Sequence, residues 1–450
     1  MVIIKLPKHV KYIIETLEQN GYEAYAVGGC VRDSILGREP NDWDITTSAD
    51  PYEVKKLFSH TIDTGLQHGT VTIMLEHVGY EVTTYRIDGD YEDSRHPKEV
   101  TFTKSLEEDL KRRDFTVNAM AYNDRDGLID LFHGMDDIQK KVIRCVGNAE
   151  ERFTEDALRI MRAVRFSAQF GYEIELETKK AIVKLAPNLK NISAERIREE
   201  LIKLLVSNHP DYIRIAYETG ITAQILPELD VCMETKQNTP HHKYTVGEHI
   251  IHSLTYVPGD KVLRLAMLMH DIGKPYCITT DETGRDHFKG HAEKSAEMAA
   301  VIMHRLKFDN DTLNRVKRLA KYHDWAISLS PPIKKATVRS MISRIGEDLF
   351  PDLFTIGDAD LLAQSNYFKA EKEEKQQLLK EMYREIMEQG DCLSIKNLAV
   401  SGNDLIEHGM KPGKELGQVL QKMLEDVLKH PSSNNKEYLL NHLNKYVERT

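Results

Sequence analysis

No run of apolar residues in the 450-residue chain approaches the ~20 that a membrane span requires, and the opening MVIIKLPKHV lacks the apolar core and small-residue cleavage site of a signal peptide. A cytoplasmic protein that stays off the membrane is the expectation. Cysteine is scarce. Cys30, Cys145, Cys232, Cys277 and Cys392 are odd in number, far apart and never in C-x-x-C, which argues against a disulfide framework or a zinc ribbon and leaves reduced thiols. Basic charge is not in excess either: the formal net charge of −10 argues against a chain that binds nucleic acid over its whole surface. Internal repeats and low-complexity tracts are absent as well.

What is present is a globular composition, 41% hydrophobic and 29% charged, long enough for roughly three or four domains. The basic residues are concentrated. KRRD at 111–114, KKVIR at 140–144 and Arg152, Arg159, Arg162, Arg165, Arg196 and Arg198 make a basic middle that suits a polyanion groove on an otherwise acidic protein. Residues 1–145 alternate short β-like runs (VTIML, YEVTTYR, GLIDLF) with short helical stretches, an α+β pattern. Residues 146–239 turn helical, 240–365 are helical and hold nine of the nineteen histidines, and 366–450 are helical with one glycine-rich interruption, SGNDLIEHGMKPGKELG.

The stretch EAYAV-GG-CVRDSIL predicts a strand, a Gly28-Gly29 turn and a helix start, which leaves backbone N–H groups at a helix N-terminus to receive phosphate. Asp42 and Asp44 flank Trp43 and run into ITT; read as β, both carboxylates face one point. Such a pair repels unless a cation lies between, and hard oxygen ligands beside a nucleotide point to Mg²⁺, although Asn-Asp-x-Asp is also ordinary loop composition. In TEDALRIMRAVRF, from Thr154, a continuous helix would set Glu155, Asp156, Arg159 and Arg162 within an arc of about 120°, opposite Leu158, Met161, Val164 and Ala168. A solvated face with intrahelical pairs satisfies the same spacing.

GGCVRD, DWD, RRDFTVNAMAY, DLFHGMDDI, EDALRIMRAVRF and SAERIREEL, in that order, resemble the motifs of class II tRNA nucleotidyltransferases and bacterial poly(A) polymerases, of the polymerase beta superfamily. The resemblance covers residues 20 to about 230. It implies a polymerase-beta-like α+β head at 1–145 and an all-α neck at 146–239, and more weakly a helical, tRNA-binding tail at 366–450; the helical segment between them, 240–365, carries a separate resemblance to an HD domain. It implies that Asp42 and Asp44 hold catalytic Mg²⁺, that Gly28, Gly29 and Arg32 hold a triphosphate, and that Asp156 and Arg159 read the base. Cytosine and adenine each offer an amino donor beside a ring-nitrogen acceptor, which a carboxylate beside a guanidinium matches, so CTP and ATP are selected without a template. Glu81, on YEVTTYR, is the candidate third carboxylate, and Arg112, Arg113, Arg162 and Arg165 suit phosphates or positioning, with a structural salt bridge the competing role of Arg165.

The segment RIDGDYEDSRHPKEVTF, 86–102, resembles the family's flexible loop, which supports addition of the terminal A. The reading is template-independent CCA addition to tRNA, with an A-adding enzyme or a poly(A) polymerase as close variants. A second chemistry resembles the HD metal-dependent phosphohydrolases: His270-Asp271 in LMHDIGKP, with His249 and Asp360, and with His291 and His323 completing a two-metal set. Imidazoles with carboxylates suit a transition metal such as Mn²⁺ or Ni²⁺. The alternative of another class is therefore an HD nucleotide or cyclic-phosphate hydrolase whose front half binds RNA. The glycines of the tail suit an RNA phosphate or a tight helix–helix turn equally, and the oligomeric state stays open.

Overall fold

The computed structural model describes residues 2–89, 100–326 and 329–447. The chain folds as two compact units, Met1–Asp230 and Val231–Thr450. In the first, strands β1 (Ala24–Val27), β2 (Ile45–Thr47), β3 (Thr61–Gly65), β4 (Thr70–Leu75) and β5 (Val78–Thr84) are followed by a separate ribbon of β6 (Arg86–Asp88) and β7 (Val100–Phe102), then by β8 (Ala121–Asn123) and β9 (Gly127–Ile129). Seven of them form one sheet in the order β3-β4-β5-β2-β1-β8-β9, with β6 and β7 outside it. The apolar run AYAV, buried on both faces, becomes an interior strand of the sheet as β1, between β2 and β8. Within this sheet β2 and β5 are parallel, pairing Ile45 with Val82, while the other pairs are antiparallel.

The predicted strand, Gly-Gly turn and helix form as expected, with the helix at Gly29–Ile35. Gly28 has φ +80°, the left-handed region that glycine enters without steric cost. A Cβ there would also lie 2.9 Å from Nη1 of Arg113. Asp42 and Asp44 lie just before β2 rather than within it. The ladder to β1 begins at Ile45, opposite Ala26, and both aspartates remain exposed at the end of the sheet.

The continuous helix expected from Thr154 does not form. One helix, Ala149–Glu155, ends; Asp156 is extended (φ −137°, ψ 103°), and a second helix runs over Leu158–Phe170. The cause is local: Oδ1 of Asp156 accepts from the Leu158 N–H at 2.9 Å, so the side chain captures a donor at the start of the next helix. The predicted apolar side survives the break, since Leu158, Met161, Val164 and Ala168 are buried. Of the loop expected at 86–102, residues 90–99 lie outside the described residues.

The second unit is helical apart from a small hairpin pairing Thr279–Thr280 with Asp286–His287. Its tail contains the helix Gly402–Glu407, closed by a capping box between Ser401 and Asp404, and the amphipathic helix Lys414–Lys429. No helix among the described residues is long and apolar enough to cross a membrane, and the five cysteines are free thiols.

Candidate functional site

The parallel register of β2 with β5 makes Glu81 precede Val82 as Asp44 precedes Ile45, so the carboxylates of Asp42, Asp44 and Glu81 gather at one end of the sheet. They feel one another. Partial desolvation raises the Asp44 carboxyl above its usual range and Asp42 adds to the rise, against the opposing field of Arg113. Glu81 is raised by desolvation and then by Asp44 and Asp42. Asp44 and Glu81, each pushed toward protonation by carboxylate neighbours, form with Asp42 a donor set that a hard divalent cation relieves.

Arg113 joins the glycine turn to these carboxylates, because it packs against Gly28 and acts on Asp44. Arg112 turns to the buried Asp109, donating from Nε at 3.0 Å and from Nη2 at 2.8 Å. Arg32 is itself buried. It donates from Nη1 to Asn118, pairs with Asp33 and lies 4.7 Å from the centre of the Phe170 ring. Asn118 donates to Asp114 at 3.2 Å, and Arg162 donates from Nε to the other oxygen of Asp114 at 2.7 Å. A continuous relay of Arg32, Asn118, Asp114 and Arg162 thus ties the glycine turn to the Leu158–Phe170 helix. Burial alone would raise the Asp114 carboxyl; Arg162 and Arg159 instead bring it down to about 2.

Asp156 and Arg159 come close in sequence but are held by different partners. Asp156 accepts from Arg196 at 2.7 and 3.3 Å, and Arg159 donates to Glu155 at 2.5 Å, to the Arg152 carbonyl at 3.1 Å and to the Arg112 carbonyl at 3.0 Å. Arg165 points away into a buried ion pair with Glu200, 2.5 Å, and stacks on Phe166. That is the structural role its position toward the apolar side suggested. Asn118 and Asp114 were not singled out from the sequence, and Arg196 was read only as one charge of the basic middle. The first two stand inside RRDFTVNAMAY and the third inside SAERIREEL, but only the fold shows what they touch.

The second unit assembles another donor set. His249 comes from the helix Val246–Leu254, His270 and Asp271 from the end of Lys261–Met269, His291 from the first position of His291–Arg305, His323 from the end of Asn310–Tyr322, and Asp360 from Phe350–Ala363. The imidazoles at helix ends are oriented by backbone carbonyls: Nδ1 of His270 lies 2.6 Å from the Met267 oxygen, Nδ1 of His291 2.8 Å from Phe288, and Nδ1 of His323 2.8 Å from Ala320. A carbonyl partner makes Nδ1 the donor and leaves Nε2 for a ligand.

The Nε2 atoms converge. His249, His270 and Asp360 form one group of donors, and Asp271, His291 and His323 form a second. Asp271 links them, with Oδ2 3.2 Å from Nε2 of His270 and Oδ1 3.4 Å from Nε2 of His291. Nδ1 of His249 is buried without a hydrogen-bond partner, and Oδ1 of Asp271 meets Nε2 of His291 and of His323 only at 3.4 and 3.5 Å. Burial would lower His323, yet the hydrogen bond to Asp271 and the fields of Asp324, Asp271 and Asp360 raise it to about 9. The cluster's negative charge thus attracts a proton where a metal ion would supply positive charge. An orphaned ring nitrogen, fixed tautomers and excess negative charge all fit a buried transition-metal pair.

With both sites described, the chain can be set beside known proteins. Residues 24–144 match the poly(A) polymerase head domain family, 171–233 the RNA and SrmB- binding site of polymerase A, and 289–443 tRNA nucleotidyltransferase domain 2. The CCA-adding enzyme of Leuconostoc mesenteroides is 37% identical over 432 residues, covering 94% of this chain and 93% of its own. The chain belongs to the CCA-adding enzyme family. Its membership makes it a tRNA nucleotidyltransferase. The CCA-adding enzyme of Lactiplantibacillus plantarum is 54% identical over 213 residues, 47% of this chain and 52% of that one. Among solved structures, the Bacillus stearothermophilus CCA-adding enzyme in complex with CTP is similar at 30% identity with a TM-score of 0.73, covering 98% of both chains. The three family matches leave residues 234–288 between them, the stretch that holds His249, His270 and Asp271.

Proposed function

We propose that the chain completes tRNA 3′ ends by template-independent addition of C, C and A from CTP and ATP, with Asp42, Asp44 and Glu81 at the chemical centre. The observation that carries this is the convergence of those carboxylates, through the β2–β5 register, beside a glycine turn suited to phosphates. Mg²⁺ held by Asp42 and Asp44, with Glu81 beside them, would supply charge neutralisation for the attacking 3′-oxygen and the leaving pyrophosphate. Gly28 and Gly29 present backbone to the triphosphate, and Arg113 and Arg32 supply positive charge around it.

Asp156 selects the base by accepting from its amino group. Its two oxygens have about four acceptor directions, of which Leu158 and Arg196 occupy three, so the base amino group fits without release of Arg196. Arg159 donates to the ring nitrogen by exchanging one of its carbonyl contacts, while Glu155 keeps its orientation. The division into head (1–145), neck (146–239), HD domain (240–365) and tRNA-binding tail (366–450) accompanies this reading. Incubating the protein with tRNA lacking A, CA or CCA and with each NTP tests it. Restoration of all three ends supports CCA addition; extension only of tRNA lacking A identifies an A-adding enzyme, and long A tails identify a poly(A) polymerase.

A second activity is favoured by the buried donor set of the second unit. His249, His270, Asp271 and Asp360 would hold one transition-metal ion such as Mn²⁺ or Ni²⁺, and Asp271, His291 and His323 its neighbour. The ions would activate water for phosphate-ester hydrolysis. In the balanced reaction the water oxygen forms a bond to phosphorus, the ester P–O bond breaks, and a water proton ends on the leaving alcohol. Metal analysis of the purified protein, with hydrolysis assays in Mn²⁺ or Ni²⁺, tests this reading; absence of bound metal at saturating concentrations overturns it.

A further inference from the structure

The donor cluster opens into a cavity of about 490 Å³, lined in part by Lys274, Arg285, Lys372, Lys375, His241 and Phe288. Its charge is arranged at two depths. At the floor, Lys274 donates to Asp271 at 2.7 Å and to Gln237 at 3.1 Å, within the donor set itself. Further out, Lys372 donates to Oε1 of Gln364 at 2.7 Å, and Nε2 of Gln364 donates to both oxygens of Asp360 at 3.1 Å. Lys372 is therefore two hydrogen bonds removed from a proposed metal ligand. Lys372 and Arg285 surround His241, whose imidazole is held below its usual range by burial and then by those two cations.

Asp286, which also lines the cavity, sets one negative charge against the three outer cations Lys372, Lys375 and Arg285. Asp286 accepts from the Asn238 N–H at 2.7 Å and from the Thr280 hydroxyl at 2.8 Å. Asp271 and Asp360 belong to the donor set at the floor. The outer cations thus face the cavity with a net positive field that the metal ions would augment.

Resting on the phosphohydrolase reading above, we propose that this cavity binds a small organic bisphosphate of nucleotide size. One phosphate lies at the metal cluster, and Lys372, Lys375 and Arg285 hold the second. A single phosphate would engage only the floor, whereas the separated cation group matches a second anion. The volume lies in the range of pockets that enclose one small ligand, about 300–1,000 Å³, and Phe288 offers a flat face for its organic part.

Trp325 allows a test in the full chain. It lies between His323 and Ala326, which both line the cavity, and the other tryptophan is Trp43 in the first unit. In a Trp43→Phe protein saturated with Ni²⁺, Trp325 fluorescence is titrated with adenosine 3′,5′-bisphosphate, adenosine 5′-monophosphate, inorganic phosphate and a short RNA ending in a 3′-phosphate. The bisphosphate should bind about tenfold or more tighter than the monophosphate, as expected for added charge-assisted hydrogen bonds. Lys372→Gln with Lys375→Gln should erase that preference while the bound Ni²⁺ stays at two ions per chain. Because Lys372 reaches Asp360 through Gln364, Arg285→Gln on the exposed hairpin is the independent variant and should weaken the preference without touching the ligands. Equal affinity for mono- and bisphosphate, a preference that survives both variants, or tighter binding of the RNA overturns the inference while leaving the metal site in place. A parent protein that binds no Ni²⁺ overturns the phosphohydrolase reading and this inference together.

Discussion

The carboxylates of the first unit stand exposed at the end of a sheet, with Arg113 as their neighbouring cation, whereas the donors of the second unit are buried and tied to one another from five segments of chain. His249 and His270 are 0% exposed and Asp271 is 1% exposed, and backbone carbonyls fix three of the rings. On the proposed assignments, ligand chemistry accounts for the difference. A hard cation such as Mg²⁺ keeps waters and substrate phosphates as ligands, so its protein site is open and partial until the nucleotide arrives. Imidazole sites hold their metal largely by themselves, and the protein orients each ring beforehand.

Substitution at the open site should have the largest effect on catalysis. Asp44→Asn should lower nucleotide addition by about 10³-fold or more, since it removes transition-state stabilisation, while tRNA binding measured by filter retention stays near the parent value. Incorporation within a few fold of the parent would remove Asp44 from the chemical centre.

The closed site is broken by His270→Ala combined with Asp271→Ala. This variant should lose its bound Mn²⁺ or Ni²⁺ by elemental analysis and lose metal-dependent phosphate-ester hydrolysis, while nucleotide addition persists in the same preparation. Retained metal would assign the cluster other ligands. Loss of addition in a normally folded variant would show that the two chemistries are not independent.

A smaller effect is expected at Asp156. Asp156→Ala leaves the amino group of the bound base unpaired, a cost of about 1–3 kcal/mol, and should reduce discrimination against UTP and GTP by about 10- to 100-fold in four-way competition. Unchanged discrimination would mean that the base is read elsewhere.

The smallest effect concerns the relay behind the open site. Asp114 is depressed to about 2 in the folded chain, so its ionised form stabilises the fold above the unfolded carboxylate value near 4. That contribution, about 2 kcal/mol, is lost as pH falls from about 4 through 2. Urea unfolding of the parent across this range should show the loss, and Asp114→Asn should flatten it. An identical acid dependence in the two proteins would remove Asp114 from the relay's energetics.

Much of the architecture was legible because it is local. AYAV followed by Gly-Gly and CVRDSI carries its own strand, turn and helix, and His270-Asp271 stands out as an adjacent pair. The helical spacing from Thr154 identified the buried positions Leu158, Met161 and Val164 but missed the interruption at Asp156. Periodicity reports which side is apolar; it does not report that a carboxylate will take the Leu158 N–H and that Arg196, forty residues on, will hold it there.

By itself the sequence determined the residue types, the α+β pattern of the head and the helical remainder, the Gly28 turn and the family to which six ordered motifs belong. Tertiary structure decided which of those residues meet. Parallel pairing of β2 with β5 brings Glu81 beside Asp44, and packing of five helix segments brings Asp360 to His249 at 2.9 Å across more than a hundred positions. Helical and strand periodicities act over a few residues, whereas a metal site is set by register and packing between distant elements, and neither is encoded in any one window of the chain.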